Sequence, residues 1–268
     1  MLKILLISLL ITIGYSKSSC PVKTYIPDRA KEYLLSLYKE ANGITPTINE
    51  LWYYPSLIEH ESCVRLCGNN YWARRCWSPK SRLKTYWDKD KTIPREEGAG
   101  LGQLTRTFKR DGRPRWDMLE TMRKKHPKEL HELNWDNIYD RPDLQMKALI
   151  LLWKSNYDMY PKTIDKEVRM QFSDSVYNGG NRYLIRERKE CKLRKDCNPD
   201  IWFNNVELMN ARGNRKLYGN RTAYDINRHH VKDVFKTRMP KYKKDFFNIK
   251  SCPIIIDNNV SENNSTHN

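Results

Sequence analysis

The sequence predicts a mainly α-helical domain that carries a small β element and a basic insertion. Two patterns predict it. Apolar residues recur at three- and four-residue spacing over most of the chain, and clean two-residue alternation never lasts more than a few positions. Helix punctuation at Asn42-Gly43, Pro55, Pro142-Asp143 and Gly179-Gly180 separates the helical stretches. At 268 residues the chain can bury a sizeable core, and its 8 Trp and 16 Tyr exclude a wholly disordered chain.

The first helix carries Ala30, Tyr33, Leu34, Leu37, Tyr38 and Ala41 on one face, with Asp28 as its cap and Asn42-Gly43 as its stop. A second runs from about Ser56 to Val64, after Pro55. The stretch from Trp72 to Trp87 is the candidate β element. Asp117 to Lys125 forms a third helix before Pro127. Pro142-Asp143 opens a fourth whose Leu144, Ala148, Leu149, Leu151, Leu152 and Trp153 leave it apolar on most sides, as a central buried helix should be. A fifth spans Lys166 to Asn178 and ends at Gly179-Gly180, a C-terminal signal. Lys189 to Arg215 is basic and irregular and reads as an insertion. The sixth helix starts near Ile226, presents Val231, Val234 and Phe235, and is kinked or ended by Pro240.

The ends have a different character. MLKILLISLLITIGYSKSSC has a positive residue at Lys3, an apolar run from Ile4 to Ile13 and small residues at Gly14 and Ser16. That is the pattern of an export signal cut after Ser16, and the run is short for a spanning helix. Cys20 follows Lys17, Ser18 and Ser19, which lack the aliphatic residue of a lipid-attachment motif. The expected organisation is a signal over 1–16, an N-terminal helical segment over 17–54, the main domain over 55–247 and a polar Asn-rich tail over 248–268. Export makes some of the seven cysteines disulfide partners. Cys191 and Cys197 are spaced to close a short loop, and Cys20 and Cys252 could staple the two ends. A zinc site from His60, Cys63, Cys67 and Cys76 is the rival, but its spacing fits no common pattern. The formal net charge of +17 suits a polyanionic partner: a cell-wall polymer, nucleic acid or anionic lipid.

Three segments have chemical potential. Leu57-Ile58-Glu59-His60-Glu61-Ser62 places Glu61 four residues after Leu57, on the inward face of its helix, where burial would raise its pKa into the range of a general acid. Glu59 lies about 200° around the same helix. Glu97-Gly98-Ala99-Gly100-Leu101-Gly102-Gln103-Leu104 is a glycine-rich turn without the Gly-Lys-Ser/Thr ending of a phosphate loop. Tyr177-Asn178-Gly179-Gly180 puts a phenol and an amide at a helix end.

In this order, Glu61-Ser62, then Gly100-Leu101-Gly102-Gln103, then Tyr177-Asn178-Gly179-Gly180, then a last helix, the chain resembles the lytic transglycosylase (SLT) domain of the goose-type lysozyme superfamily. The resemblance covers roughly Pro55 to Phe247. On the last helix the family carries a Glu-Thr pair and a Tyr-Val pair. Here the region reads Ile226-Asn227-Arg228-His229-His230-Val231, so Val231 matches and His230 stands in place of the Tyr.

The resemblance implies a lysozyme-like helical fold and cleavage of the MurNAc–GlcNAc bond of peptidoglycan, with no cofactor and no metal. It implies Glu61 as the acid, with Ser62, Gln103, Tyr177 and Asn178 holding Glu61 and the sugar. The expected route is intramolecular, leaving 1,6-anhydro ends. The alternative is a hydrolase in which Asp174 positions water. Trp72, Trp77 and Trp87 are candidates to stack on sugar rings. The partner would be the glycan strand, not nucleic acid, and the mature enzyme would be an exported monomer without stable membrane insertion. A basic exported nucleic-acid-binding protein and a glycan-binding domain without activity are the competing readings.

Overall fold

The computed structural model describes residues 28–63 and 76–244. The signal segment, the polar tail, Cys20, Cys67, Trp72 and Cys252 lie outside the described residues. The described chain is mainly helical with a small antiparallel sheet.

The helices are α1 (Asp28–Ile44), α2 (Tyr53–Ser62), α3 (Met118–Lys125), α4 (Pro127–Leu130), α5 (Pro142–Tyr157), α6 (Lys166–Gly179), α7 (Asn181–Lys192) and α8 (Ala223–Lys232). Helix α8 runs on through a π-helical stretch, Asp233–Arg238, and stays helical to 244. Pro240 therefore does not end this helix; the irregularity lies in the turn before it, which contains the carbonyl that the proline ring displaces and that its missing N–H leaves unbonded. Helix α1 also continues past Asn42-Gly43 for one residue. Asp117 caps α3 by accepting from the Glu120 amide, and Asp165 caps α6 in the same way from Glu167 and Val168.

The sheet is a meander of β1 (Arg82–Tyr86), β2 (Pro94–Ala99), β3 (Leu104–Phe108) and β4 (Pro114–Asp117), paired in that order. It reaches thirty residues beyond the stretch expected to hold the β element. Its strands escape the two-residue pattern because the covered face carries ions, with Lys84 opposite Glu97 and Glu97 opposite Arg106. A second, two-stranded hairpin of β5 (Lys216–Tyr218) and β6 (Arg221–Thr222) leads into α8.

Helix α5 is the centre, as its all-round apolar character requires. It packs against α1, α4 and α6. One core gathers Leu37, Tyr53, Leu57, Trp77, Trp153, Phe172, Trp202 and Val234; a smaller one under the sheet gathers Leu104, Leu119, Leu133 and Ile138. The segment expected to be an irregular insertion begins as the end of α7, and Cys191 pairs with Cys197 as the spacing suggested. It is tied inward by a buried ion cluster: Glu187 faces Arg212 at 3.2 Å and Arg228 at 2.9 Å. The second disulfide joins Cys63 to Cys76, which takes two of the four donors out of the rival zinc set.

Candidate active site

Helix α2 delivers Glu61 near its C-terminal end. Across from it, the first turns of the last helix deliver His230, whose Nε2 lies 2.8 Å from Glu61 Oε1. The other ring nitrogen, Nδ1, lies 2.9 Å from Asp174 Oδ2 on α6. The second Asp174 oxygen accepts from the Tyr53 hydroxyl at 2.5 Å. Four side chains thus form one hydrogen-bonded line, phenol–carboxylate–imidazole–carboxylate, running from the core to the surface.

Exposure falls along that line. The Glu61 side chain is 15% exposed, while His230 and Asp174 are at 1% and 0%. Burial alone would pull His230 toward neutrality, but the Asp174 carboxylate, helped by Glu61, outweighs it and pushes the ring up to about 10. The two carboxylates thus favour the protonated ring, the form that can donate from both nitrogens. Among the described residues, Glu61 Oε1 is fixed by His230 and Oε2 has no donor.

A second network braces the first. The His60 Nδ1 bonds Asp233 Oδ2 at 2.6 Å, the Arg238 Nε donates to the same oxygen at 2.6 Å, and Arg238 also holds Glu59. Asp233 and Arg238 stand five residues apart, a spacing that an α-helix splays and a π-helical turn brings together. Burial and the cationic His230 ring, 4.3 Å away, pull the His60 pKa below its ordinary value. Despite its own burial, Asp233 is held well below the usual carboxylate range by His60 and Arg238. Glu59, at 5% exposed, is more buried than Glu61, against the facing expected from Leu57, because the last helix covers that side of α2.

The remaining predicted residues surround this line. The Tyr177 hydroxyl donates to the Gly102 carbonyl at 2.5 Å. Burial, then the nearby Glu61 and Asp174 charges, raise the Tyr177 pKa well above its ordinary value, keeping it a neutral donor. A Cβ at Gly102 would stand 2.8 Å from that hydroxyl, which is why this turn needs glycine. Asn178 accepts from Asn227 at 3.1 Å, and a Cβ at Gly179 would collide with the Arg212 guanidinium.

Gln103 is half-buried with a positive φ of 48°. Its amide donates to the Gly100 carbonyl at 2.9 Å and to Ser81 Oγ at 3.2 Å, leaving its own buried carbonyl oxygen without a partner among the described residues. Ser62 is fully buried: it donates to the Ile58 carbonyl at 2.6 Å and accepts from the Trp77 amide at 2.8 Å. Its role is to hold the turn beyond α2, not to meet a ligand. Trp77 is buried as well and donates to the Tyr242 hydroxyl, which removes it as a stacking platform; Trp87 is 38% exposed.

Sequence reasoning registered His230 only as a replacement and missed Tyr53 and the His60–Asp233–Arg238 brace. A usable signal was present for Asp174, a carboxylate on the same helical face as Met170 and Tyr177, where only a partnered charge survives burial. Among the described residues no group of three or more His, Cys, Asp or Glu is arranged to hold a metal, and no helix is long and apolar enough to cross a membrane. No family model, curated protein or solved structure matches the chain. The functional reading therefore rests on the site.

Proposed function

We propose that the chain is an exported, lysozyme-like enzyme that cleaves the MurNAc–GlcNAc bond of peptidoglycan, with Glu61 as its catalytic acid and base. The observation that carries this reading is the asymmetry of Glu61: Oε1 is pinned by His230 while Oε2 takes no hydrogen bond from a described residue, on a side chain that stays 15% exposed. Protonated on Oε2, Glu61 gives its proton to the glycosidic oxygen as the C1–O bond breaks. The substrate's N-acetyl oxygen holds the positive C1. The Glu61 carboxylate then takes the C6 hydroxyl proton as O6 bonds to C1, closing a 1,6-anhydro ring without consuming water.

His230 and Asp174 are positioning residues. Asp174 balances the imidazolium charge, so the pair orients Glu61 without placing an uncompensated cation beside it. Asp174 is fully buried and both its oxygens are occupied, by Tyr53 and His230. Fully buried, it does not reach the surface where a water would stand across the sugar, as an inverting hydrolase requires of its base. That favours the intramolecular route. Support for export comes from the two disulfides, which suit an oxidising compartment.

Mass spectrometry of purified peptidoglycan digested by the protein tests the reading. Anhydro-muropeptides, about 18 Da lighter than hydrolytic products because no water is added, are the expected outcome. Products that accept borohydride at a reducing end would replace the lyase with a hydrolase, and no soluble product would remove both.

A further inference from the structure

On the opposite face of the sheet from the Glu97 ion cluster, the strands and the β5–β6 hairpin form a half-open cavity of about 440 Å³. Two indoles stand at it, Trp87 and Trp116, 38% and 46% exposed. Three guanidiniums line it, those of Arg95, Arg115 and Arg215, and none of the three is ion-paired among the described residues. The one carboxylate in the lining, Glu96, already accepts from the Tyr218 hydroxyl. Arg95 lies 5.7 Å over the Trp87 ring and 5.5 Å over that of Tyr218, so it is held in place by aromatic faces and not by an anion.

A row of contacts leads from the cavity toward the candidate active site. Glu96, Thr107 and Trp116 are paired across three strands, so they form one row on one face. Gly98, two residues along β2, shares that face, and a Cβ there would touch the Gln103 side chain at 2.7 Å. Gln103 in turn bonds Ser81, which donates to the Ser62 carbonyl beside Glu61. An extended ligand lying over Gln103 would reach the Trp116 row about 7 Å further along the strands.

We infer that this cavity is a distal subsite for the acidic peptide stem of a glycan strand, with a sugar ring or stem methyl groups against Trp116 and a stem carboxylate on Arg115 and Arg215. Exposed indoles give flat apolar faces, and planar guanidiniums without protein anions suit carboxylates. The assignment of the ligand rests on the function proposed above. The site would make the enzyme prefer strands whose stems are intact.

Isothermal titration on the Glu61→Gln background tests it without need of turnover. The probes are a soluble tetrasaccharide muropeptide, the same glycan stripped of stems by an amidase, and a short single-stranded DNA. Glu61→Gln should bind the stemmed glycan at least about tenfold more tightly than the stripped one. Adding Arg115→Ala and Arg215→Ala, both exposed, should reduce stemmed binding to the stripped value with an unchanged melting temperature; Trp116→Ala should weaken it similarly. A preference that survives the arginine changes overturns the proposal, as does tighter arginine-dependent binding of DNA. Glycan cleavage by wild type without any stem preference sinks this inference alone. An arginine-dependent stem preference without cleavage sinks only the enzymatic reading.

Discussion

Glu97 and Glu61 are both carboxylates drawn away from bulk water, and their surroundings differ in one decisive respect. Glu97, on β2, is 2% exposed and has both oxygens taken: Arg82 Nε at 2.6 Å on one, Arg106 Nε and Nη2 at 2.9 and 2.7 Å on the other. Lys84 stands at 3.6 Å, and the Arg106 guanidinium lies 4.2 Å over the Trp135 ring. Burial works against its charge, yet Arg106 and Arg82 hold the Glu97 carboxyl below its ordinary range. Among the described residues Glu61 has one hydrogen-bond partner, His230, which Asp174 also holds, and one oxygen without a donor. A carboxylate saturated with guanidinium donors is a strut. A carboxylate pinned through one oxygen can exchange a proton through the other.

The sharpest way to break that contrast is to neutralise each group in turn. Glu61→Gln should lower peptidoglycan turnover by at least ~10³, about 4 kcal/mol in barrier, while the fold persists because an amide can still accept from His230. Glu97→Gln should keep turnover within about tenfold. Turbidity clearing and release of soluble muropeptides measure both. Clearing that survives Glu61→Gln but fails in Glu97→Gln would reverse the roles of the two carboxylates.

The next largest effect lies in the pH dependence of stability. Folding raises the His230 pKa from 6.5 to about 10, through Asp174 and Glu61 acting against burial. The folded chain thus keeps a proton that the unfolded chain sheds near 6.5. The resulting stabilisation is complete below that pH and is lost as pH rises through about 10. It amounts to a few kcal/mol at most, so wild type should lose roughly 5–10 °C more than His230→Gln between pH 7 and pH 10. Melting curves across that range decide it, and parallel slopes would mean that His230 is not cationic in the folded chain.

Much of the helical frame was legible because its elements bury apolar faces with standard caps. The stretch Lys166 to Asn178 was expected and α6 spans Lys166–Gly179; the helix expected from Pro142 is α5. The order of Glu61, Gln103, Tyr177 and Asn178 also reads directly, and the structure links Tyr177 to Gly102 and Gln103 to the segment after Ser62. The sheet was largely illegible because Pro94-Arg95-Glu96-Glu97-Gly98-Ala99 turns an ion, not an aliphatic residue, to its covered face. Helix α7 was missed for a related reason: Leu184, Glu187 and Cys191 are its buried residues, and one of them is a charge paired from outside. The role of His230 depends on contacts 56 and 169 residues away, which no local pattern encodes.

The smallest expected effect sharpens the strut side of the comparison. Removing one partner of a fully buried ion pair costs about 3–5 kcal/mol, since the survivor is left charged in a poor solvent. The Glu97 site should cost less, because the charges left behind are not fully buried. Arg82 keeps 45% and Arg106 28% of their side-chain surface exposed, so both can turn to water once the carboxylate is gone. Glu97→Gln retains volume and one acceptor, which reduces the loss further. The expected destabilisation is therefore about 2–3 kcal/mol, a fall of roughly 5–10 °C in melting temperature. It should be carried by the sheet: hydrogen exchange should quicken in β2 and β3 while the amides of α5 and α6 keep their protection. Uniform acceleration through α5 and α6 would mean that Glu97 anchors the whole domain and that the sheet is not a separately stabilised wall of the site.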